Sequence, residues 1–182
     1  MDAFSNFAPT LSRDRTKLLF GSRRDGNREF YLSDVASPSA TPLLLTGRGE
    51  RASFARFSRD GRSVLFTRDT GADENYRIYQ VGLDGKNETC LTPGPVLRRS
   101  FPFEPRKKLG TLVYGQRDVK SPSTEIVVQP SGGAPQVVAT DPGPVNVEDV
   151  TDDGRPTKAT RSITWRTGSS FSPGWRVFWT TT

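Results

Sequence analysis

Short runs of β-branched, aliphatic and aromatic residues, broken by turn residues, make up most of the chain, and no long run places apolar residues at helical spacing. In the clearest stretch the pattern predicts strands at Ala52–Phe57, Ser63–Arg68, Tyr76–Val81 and Glu88–Leu91. Asp60-Gly61 and Asp84-Gly85 fall between them. Glycine accepts the positive φ of a tight hairpin turn, and the aspartate side chain can bond to the backbone beyond it. Pro and Gly interrupt nearly every ten-residue window, which argues against a competing helix.

This pattern recurs. Phe57-Ser58-Arg59-Asp60-Gly61-Arg62-Ser63-Val64-Leu65-Phe66 echoes Leu11-Ser12-Arg13-Asp14-Arg15-Thr16-Lys17-Leu18-Leu19-Phe20, and both Asp14 to Asp60 and Phe20 to Phe66 are 46 residues apart. Glu29-Phe30-Tyr31-Leu32 corresponds to Arg77-Ile78-Tyr79-Gln80, and Leu45-Thr46 corresponds to Leu91-Thr92. Arg15 stands where the second copy has Gly61, so the first turn is expected to carry a strain of order 1 kcal/mol. A third, more worn copy has its turn at Phe103–Lys107, strands at Thr111–Tyr114 and Glu125–Val128, and Val138-Ala139-Thr140 at the Leu-Thr position. A fourth begins at Val145 and stops matching after Arg155.

Four short strands repeated at about 45 residues is the spacing of β-propeller blades. The expected fold is therefore all-β, a partial β-propeller of about three four-stranded blades and the start of a fourth, followed by an irregular tail. The blades are placed at about 7–50, 51–99 and 100–144, with the fourth starting at 145–154; the propeller occupies 1–154 and the tail 155–182.

The form Phe-Ser-x-Asp-Gly-Arg-x-Val-Leu-Phe, with Asp25-Gly26-Asn27-x-Glu29-Phe30-Tyr31-Leu32 and a closing Leu-Thr, resembles the repeat shared by TolB-like proteins and the non-catalytic domain of prolyl-oligopeptidase-family serine peptidases. Glu74-Asn75-Tyr76-Arg77-Ile78-Tyr79 narrows the likeness toward acylaminoacyl-peptidase-like members. The resemblance implies a propeller that precedes an α/β-hydrolase domain and gates it, admitting short peptides. Residues 1–182 contain no Gly-x-Ser-x-Gly elbow; Gly168-Ser169-Ser170-Phe171-Ser172 lacks the second glycine. The blades are also fewer than the four or more, roughly, of a closed propeller, so a partner that completes the ring is expected.

Composition narrows the chemistry further. The chain has no histidine and a single cysteine, Cys90, which excludes a Ser-His-Asp triad, a Cys-His pair, a histidine-bound metal and an internal disulfide within these 182 residues. The expectation is no catalytic, cofactor-binding or metal-binding residue, with the binding residues left unspecified. The net charge of +6 suggests nucleic acid, but it lies in the tail: Arg155, Lys158, Arg161, Arg166 and Arg176 face no acid there, against 21 cations and 20 acids in residues 1–154. The same tail holds Trp165, Trp175 and Trp179. Its abrupt change of composition at Gly154 and Pro156, which cannot donate to a ladder, suggests loss of reading frame near residue 155; a divergent strand pair at 162–166 and 175–180 is the alternative.

Other features weigh less. Asp69, Asp73, Glu74 and Asn75 offer oxygen ligands without EF-hand spacing and read better as a solvated loop. Arg98, Arg99, Arg106, Lys107 and Lys108 flank Phe101 and Phe103, a basic-aromatic arrangement that reads better as turn cations beside core aromatics. Cys90 reads as an inert strand thiol, and the Asn87-Glu88-Thr89 sequon as incidental. The opening Met1–Phe7 lacks a basic start and an apolar core, so a cytoplasmic, reducing location is expected. Partners are expected to be a hydrolase domain or another chain completing the propeller. Peptides are expected to bind weakly if at all, and neither membrane nor nucleic acid is an expected partner. A TolB-like interaction scaffold is the alternative function, and a small basic nucleic-acid binder ranks third.

Overall fold

The computed structural model describes residues 5–47, 50–69, 71, 75–94, 97–118, 120–161 and 177–178. The chain divides into two compact units, residues 1–96 and 97–182. Every described element is a strand, and every sheet is an antiparallel meander in chain order.

The first unit holds two four-stranded sheets. One comprises β1 (Asn6–Leu11), β2 (Lys17–Ser22), β3 (Glu29–Asp34) and β4 (Leu43–Leu44); the other comprises β5 (Arg51–Phe57), β6 (Ser63–Asp69), β7 (Tyr76–Gly82) and β8 (Thr89–Cys90). The strands of the second sheet lie within two residues of those predicted at every end. One core joins the two sheets: Leu19, Phe30, Leu32 and Leu45 from the first pack with Ala52, Val64, Phe66 and Val81 from the second. β6 is buried along its whole length, because a central strand covered on both faces needs no polar side.

The repeat is visible atom by atom. Ser12 Oγ donates to Asp14 Oδ1 and accepts the Lys17 amide, and Ser58 Oγ does the same with Asp60 and the Ser63 amide. Arg15 adopts φ +59, the left-handed conformation that Gly61 takes at +72 in the second copy. At the other end of each sheet the Leu-Thr pair acts as a clip. Leu45 N–H bonds the Phe30 carbonyl while Phe30 N–H bonds Thr46 Oγ1; Leu91, Ile78 and Thr92 repeat both bonds. Phe20 stacks on Tyr31 and Phe66 on Tyr79, at centroid distances of 5.9 and 5.5 Å.

A fourth repeated device was not legible in the sequence. β1 bulges between Phe7 and Thr10, and β5 between Ser53 and Ala55. The extra residues, Ala8 and Phe54, lie 46 apart and both hold φ +48. Neither is a glycine, so propensity gives no warning of a left-handed residue there.

The second unit holds β9 (Arg98–Arg99), β10 (Leu112–Arg117), β11 (Thr124–Gln129) and β12 (Gln136–Asp141) in one sheet, and β13 (Val145–Val150), β14 (Pro156–Arg161) and β15 (Val177–Phe178) in another. Val113, Ile126, Val145 and Val147 form their common core, with Phe103 packed against it. Arg98 and Arg99, placed above at the end of the second copy, begin the third sheet by pairing with Arg117 and Gln116. The third turn also runs later than the sequence suggested, because Phe103 still bridges Val113 and the left-handed glycine is Gly110.

The fourth sheet continues past residue 154. Thr151 donates to Asp153 and Gly154 takes φ +92, which rebuilds the Ser-x-Asp turn. Pro156 occupies the place of Ser63, whose amide donates to Ser58 in the second copy; here the Arg155 amide bonds Thr151 Oγ1 instead. The turn is thereby one residue tighter, and Pro156 starts β14 opposite Val150, where a strand tolerates proline. The predicted strand at 162–166 lies outside the described residues, whereas Val177 and Phe178, inside the predicted 175–180 segment, pair with Thr160 and Ala159.

Two glycines make separable predictions. A Cβ on Gly21 would stand 2.0 Å from the Phe7 ring, which packs edge-on to Phe30, whereas a Cβ on Gly61 would meet nothing within 4 Å. Gly61→Ala is expected to cost about 1 kcal/mol through backbone strain alone, and Gly21→Ala about 1–3 kcal/mol through overpacking, both read from urea unfolding. The turn carboxylates make a third. Hydrogen bonds from Ser58 and the Arg62 amide hold Asp60 below its ordinary value of 3.8, and Ser12 and Thr16 do the same for Asp14. A depressed folded pKa contributes stability that is complete above the unfolded value and lost as pH falls through the folded one. Unfolding free energy should therefore hold level from pH 7 to about 5 and fall below about 4, with a shallower fall in Asp60→Asn.

Candidate functional site

The most concentrated polar chemistry among the described residues lies where the first two sheets meet. β6 ends on Thr67, Arg68 and Asp69, all at least 98% buried. The preceding Val64-Leu65-Phe66 forces this: once the strand is anchored as a central strand, its polar end is drawn inside with it. The Arg68 guanidinium makes a two-pronged contact with Glu88, Nη1 to Oε1 at 2.7 Å and Nη2 to Oε2 at 2.8 Å. Nη2 also donates to the Thr46 carbonyl at 3.2 Å, and Nε lies 4.0 Å from Glu50 Oε2. The guanidinium plane covers Phe66 and Tyr79, 5.0 and 4.7 Å from their centroids.

Arg68 therefore ties three parts of the unit together: its own strand, the approach to β8, and the closing Thr46 of the first sheet. Thr46 is itself fixed, since its hydroxyl donates to the buried Glu29 Oε2 while accepting the Phe30 amide. Burial works against the Arg68 charge, but the hydrogen bonds and charge of Glu88 outweigh it, and the net shift of its pKa is upward. A cation fixed in this way holds a shape; it has no proton to give at neutral pH.

Cys90 is half-buried in β8 opposite Tyr79, whose phenol is pushed up mainly by burial. Asp69 is not part of a solvated loop as the spacing suggested: it is the last, buried residue of β6, while Asp73 and Glu74 lie outside the described residues. Among the described residues, no three Cys, Asp or Glu side chains gather as a metal site would need. The basic-aromatic segment is dispersed. Arg99 is buried, Phe103 packs into the core, and only Arg106, Lys107 and Lys108 stand exposed in the turn. Asn87 is exposed at φ +57. Gly168–Ser172 and the three tryptophans lie outside the described residues. No helix among the described residues is long and apolar enough to cross a membrane.

The Arg68 pair gives a test. Removing one member of a buried ion pair strands the other, at a cost of about 3–5 kcal/mol. Arg68→Ala is expected to lower stability by that order and Glu88→Gln by less, since an amide still accepts from the guanidinium; equal, small effects in chemical denaturation would show that the pair is dispensable.

No protein-family model matches the chain. A dipeptidyl aminopeptidase BIII from Pseudoxanthomonas mexicana is 28% identical over 110 residues, which is 59% of this chain and 16% of that protein. Among solved structures, TolB from Acinetobacter baumannii superposes with a TM-score of 0.62 at 19% identity, over 95% of this chain and 40% of its own. A puromycin-hydrolyzing peptidase from Mycobacterium tuberculosis gives 0.60 at 19% identity, over 86% of this chain and 26% of its own. The chain thus spans well under two thirds of each of these relatives. Repeated four-stranded meanders, the Ser-x-Asp turns and these likenesses together place the chain in the β-propeller fold of TolB-like proteins and of the N-terminal domains of prolyl-oligopeptidase-type peptidases.

Proposed function

We propose that these residues form the non-catalytic propeller of a prolyl-oligopeptidase-family, acylaminoacyl-peptidase-like serine peptidase, the part that gates entry of short peptides to a hydrolase domain. The observation that carries this reading is the sequence match to a dipeptidyl aminopeptidase over 110 residues, in a chain that is built of repeated four-stranded sheets and has no histidine. A repeat of this kind supplies a rigid wall and a size filter; nucleophile, base and oxyanion hole would belong to the hydrolase. A TolB-like interaction scaffold is the second reading, favoured by the superposition over 95% of the chain.

Incubated with dipeptidyl and acyl-aminoacyl p-nitroanilides, the 182-residue chain is expected to release nitroaniline no faster than buffer; turnover that survives repurification would overturn the non-catalytic reading. The gating role is tested on the coding sequence, translated in all three frames beyond codon 155. Further blades followed by a Gly-x-Ser-x-Gly domain are the expected result, and their absence would favour the scaffold.

A further inference from the structure

The hairpin between β2 and β3 carries Arg23, Arg24 and Arg28. Arg24 is engaged, bonded to Ser22 Oγ at 3.3 Å and lying over the rings of Phe20 and Tyr31. Arg28 turns elsewhere. Its guanidinium lies 4.2 Å from the Phe7 centroid, and its Nε is buried with no hydrogen-bond partner among the described residues. The Arg28 carbonyl accepts the Ala52 amide at 3.1 Å, which brings Arg51, the first residue of β5, beside it. The Arg23 amide bonds the Ser5 carbonyl at 3.4 Å and so stays at the same end of the sheet. Arg23 and Arg51 are exposed, which leaves the group open to solvent.

The electrostatics agree with this backbone placement. The Arg28 pKa is lowered, first by burial and then by repulsion from Arg51 and Arg23, with only Tyr76 acting the other way. No ion pair joins Arg23, Arg28 or Arg51 to a carboxylate among the described residues. Of the neighbouring acids, Asp25 accepts the Tyr31 hydroxyl, Glu29 that of Thr46, Glu88 binds Arg68 with Glu50 4.0 Å from its Nε, and Asp69 is buried opposite Arg51 across β5 and β6. Like charges held together at a half-buried position are unfavourable until an anion joins them. Guanidinium groups supply planar forks matched to carboxylate and phosphate oxygens.

We propose that Arg23, Arg28 and Arg51 form an anion site at the seam of the first two sheets, which takes an oxyanion group, a carboxylate or a phosphate. The inference does not depend on the peptidase reading, because it rests on this unit alone.

The test uses the full chain, 15N-labelled, titrated with sodium phosphate at constant ionic strength against sodium chloride. A saturable shift of the Arg28 Nε–H resonance in phosphate but not chloride is expected. Arg51→Gln, at an exposed position that should leave folding intact, should weaken binding at least fivefold, while Arg13→Gln, in the first turn, should not. A parallel titration with an N-acetylated tripeptide, as free acid and as amide, separates the sources. Binding of the acid but not the amide assigns a peptide carboxylate; binding of phosphate alone assigns the free ion, and either supports the site. A linear or absent response to both probes, or equal weakening by Arg51→Gln and Arg13→Gln, would overturn it.

Discussion

A single sheet of four short strands cannot bury both of its faces alone, and this constraint shapes everything else in the molecule. In the first unit the solution is a single core with four residues from each of two sheets. In the second it is the smaller cluster of Val113, Ile126, Val145 and Val147. Once cores are shared between sheets, the strands in the middle become inaccessible on both faces. Polar groups on them must then be satisfied inside the protein.

Arg68 is the consequence. It follows Phe66 and Thr67 on the most deeply buried strand, and its charge is tolerated because Glu88, the Thr46 carbonyl and two aromatic rings surround it. The same contacts make it a rivet between sheets, since Thr46 ends the first copy and Glu88 belongs to the second. Arg28, directly before Glu29 in the chain, has other circumstances: it is half-buried where Arg68 is fully buried, an aromatic ring lies beneath its head, and Arg51 and Arg23 repel it. One arginine is spent on architecture, and the other is left with capacity for a ligand.

The edges of the sheets differ in how they are protected. β4 and β8 are two residues long, which leaves little backbone to recruit another strand, and β5 is interrupted by the bulge at Phe54. β12 runs for six residues, the first five of them exposed and Val137 and Val138 about half so, yet its register also breaks opposite Ile126 and Val127. Bulges that re-aim a strand thus recur on outer strands as well as on the first strands of the repeats.

Much of this was written in local sequence. Alternation, the Ser-x-Asp turns and the 46-residue spacing of the first two copies were enough to give three four-stranded sheets, the start of a fourth and the Leu-Thr closure of the first two, because hairpins and turns are decided by residues a few positions apart. The absence of histidine bounded the chemistry in the same local way. Tertiary structure alone decided the rest. Arg68 meets Glu88 and Thr46 across 20 and 22 positions, and Arg28 meets Phe7 and Arg51 across similar gaps, so no window on the sequence contains both partners. The φ +48 residues Ala8 and Phe54 were hidden for another reason: neither side chain prefers that conformation, and only the register of the neighbouring strand imposes it. Pro156 shows the converse, a residue that reads locally as a strand breaker but fits as the first residue of β14, paired with Val150 at the start of the strand.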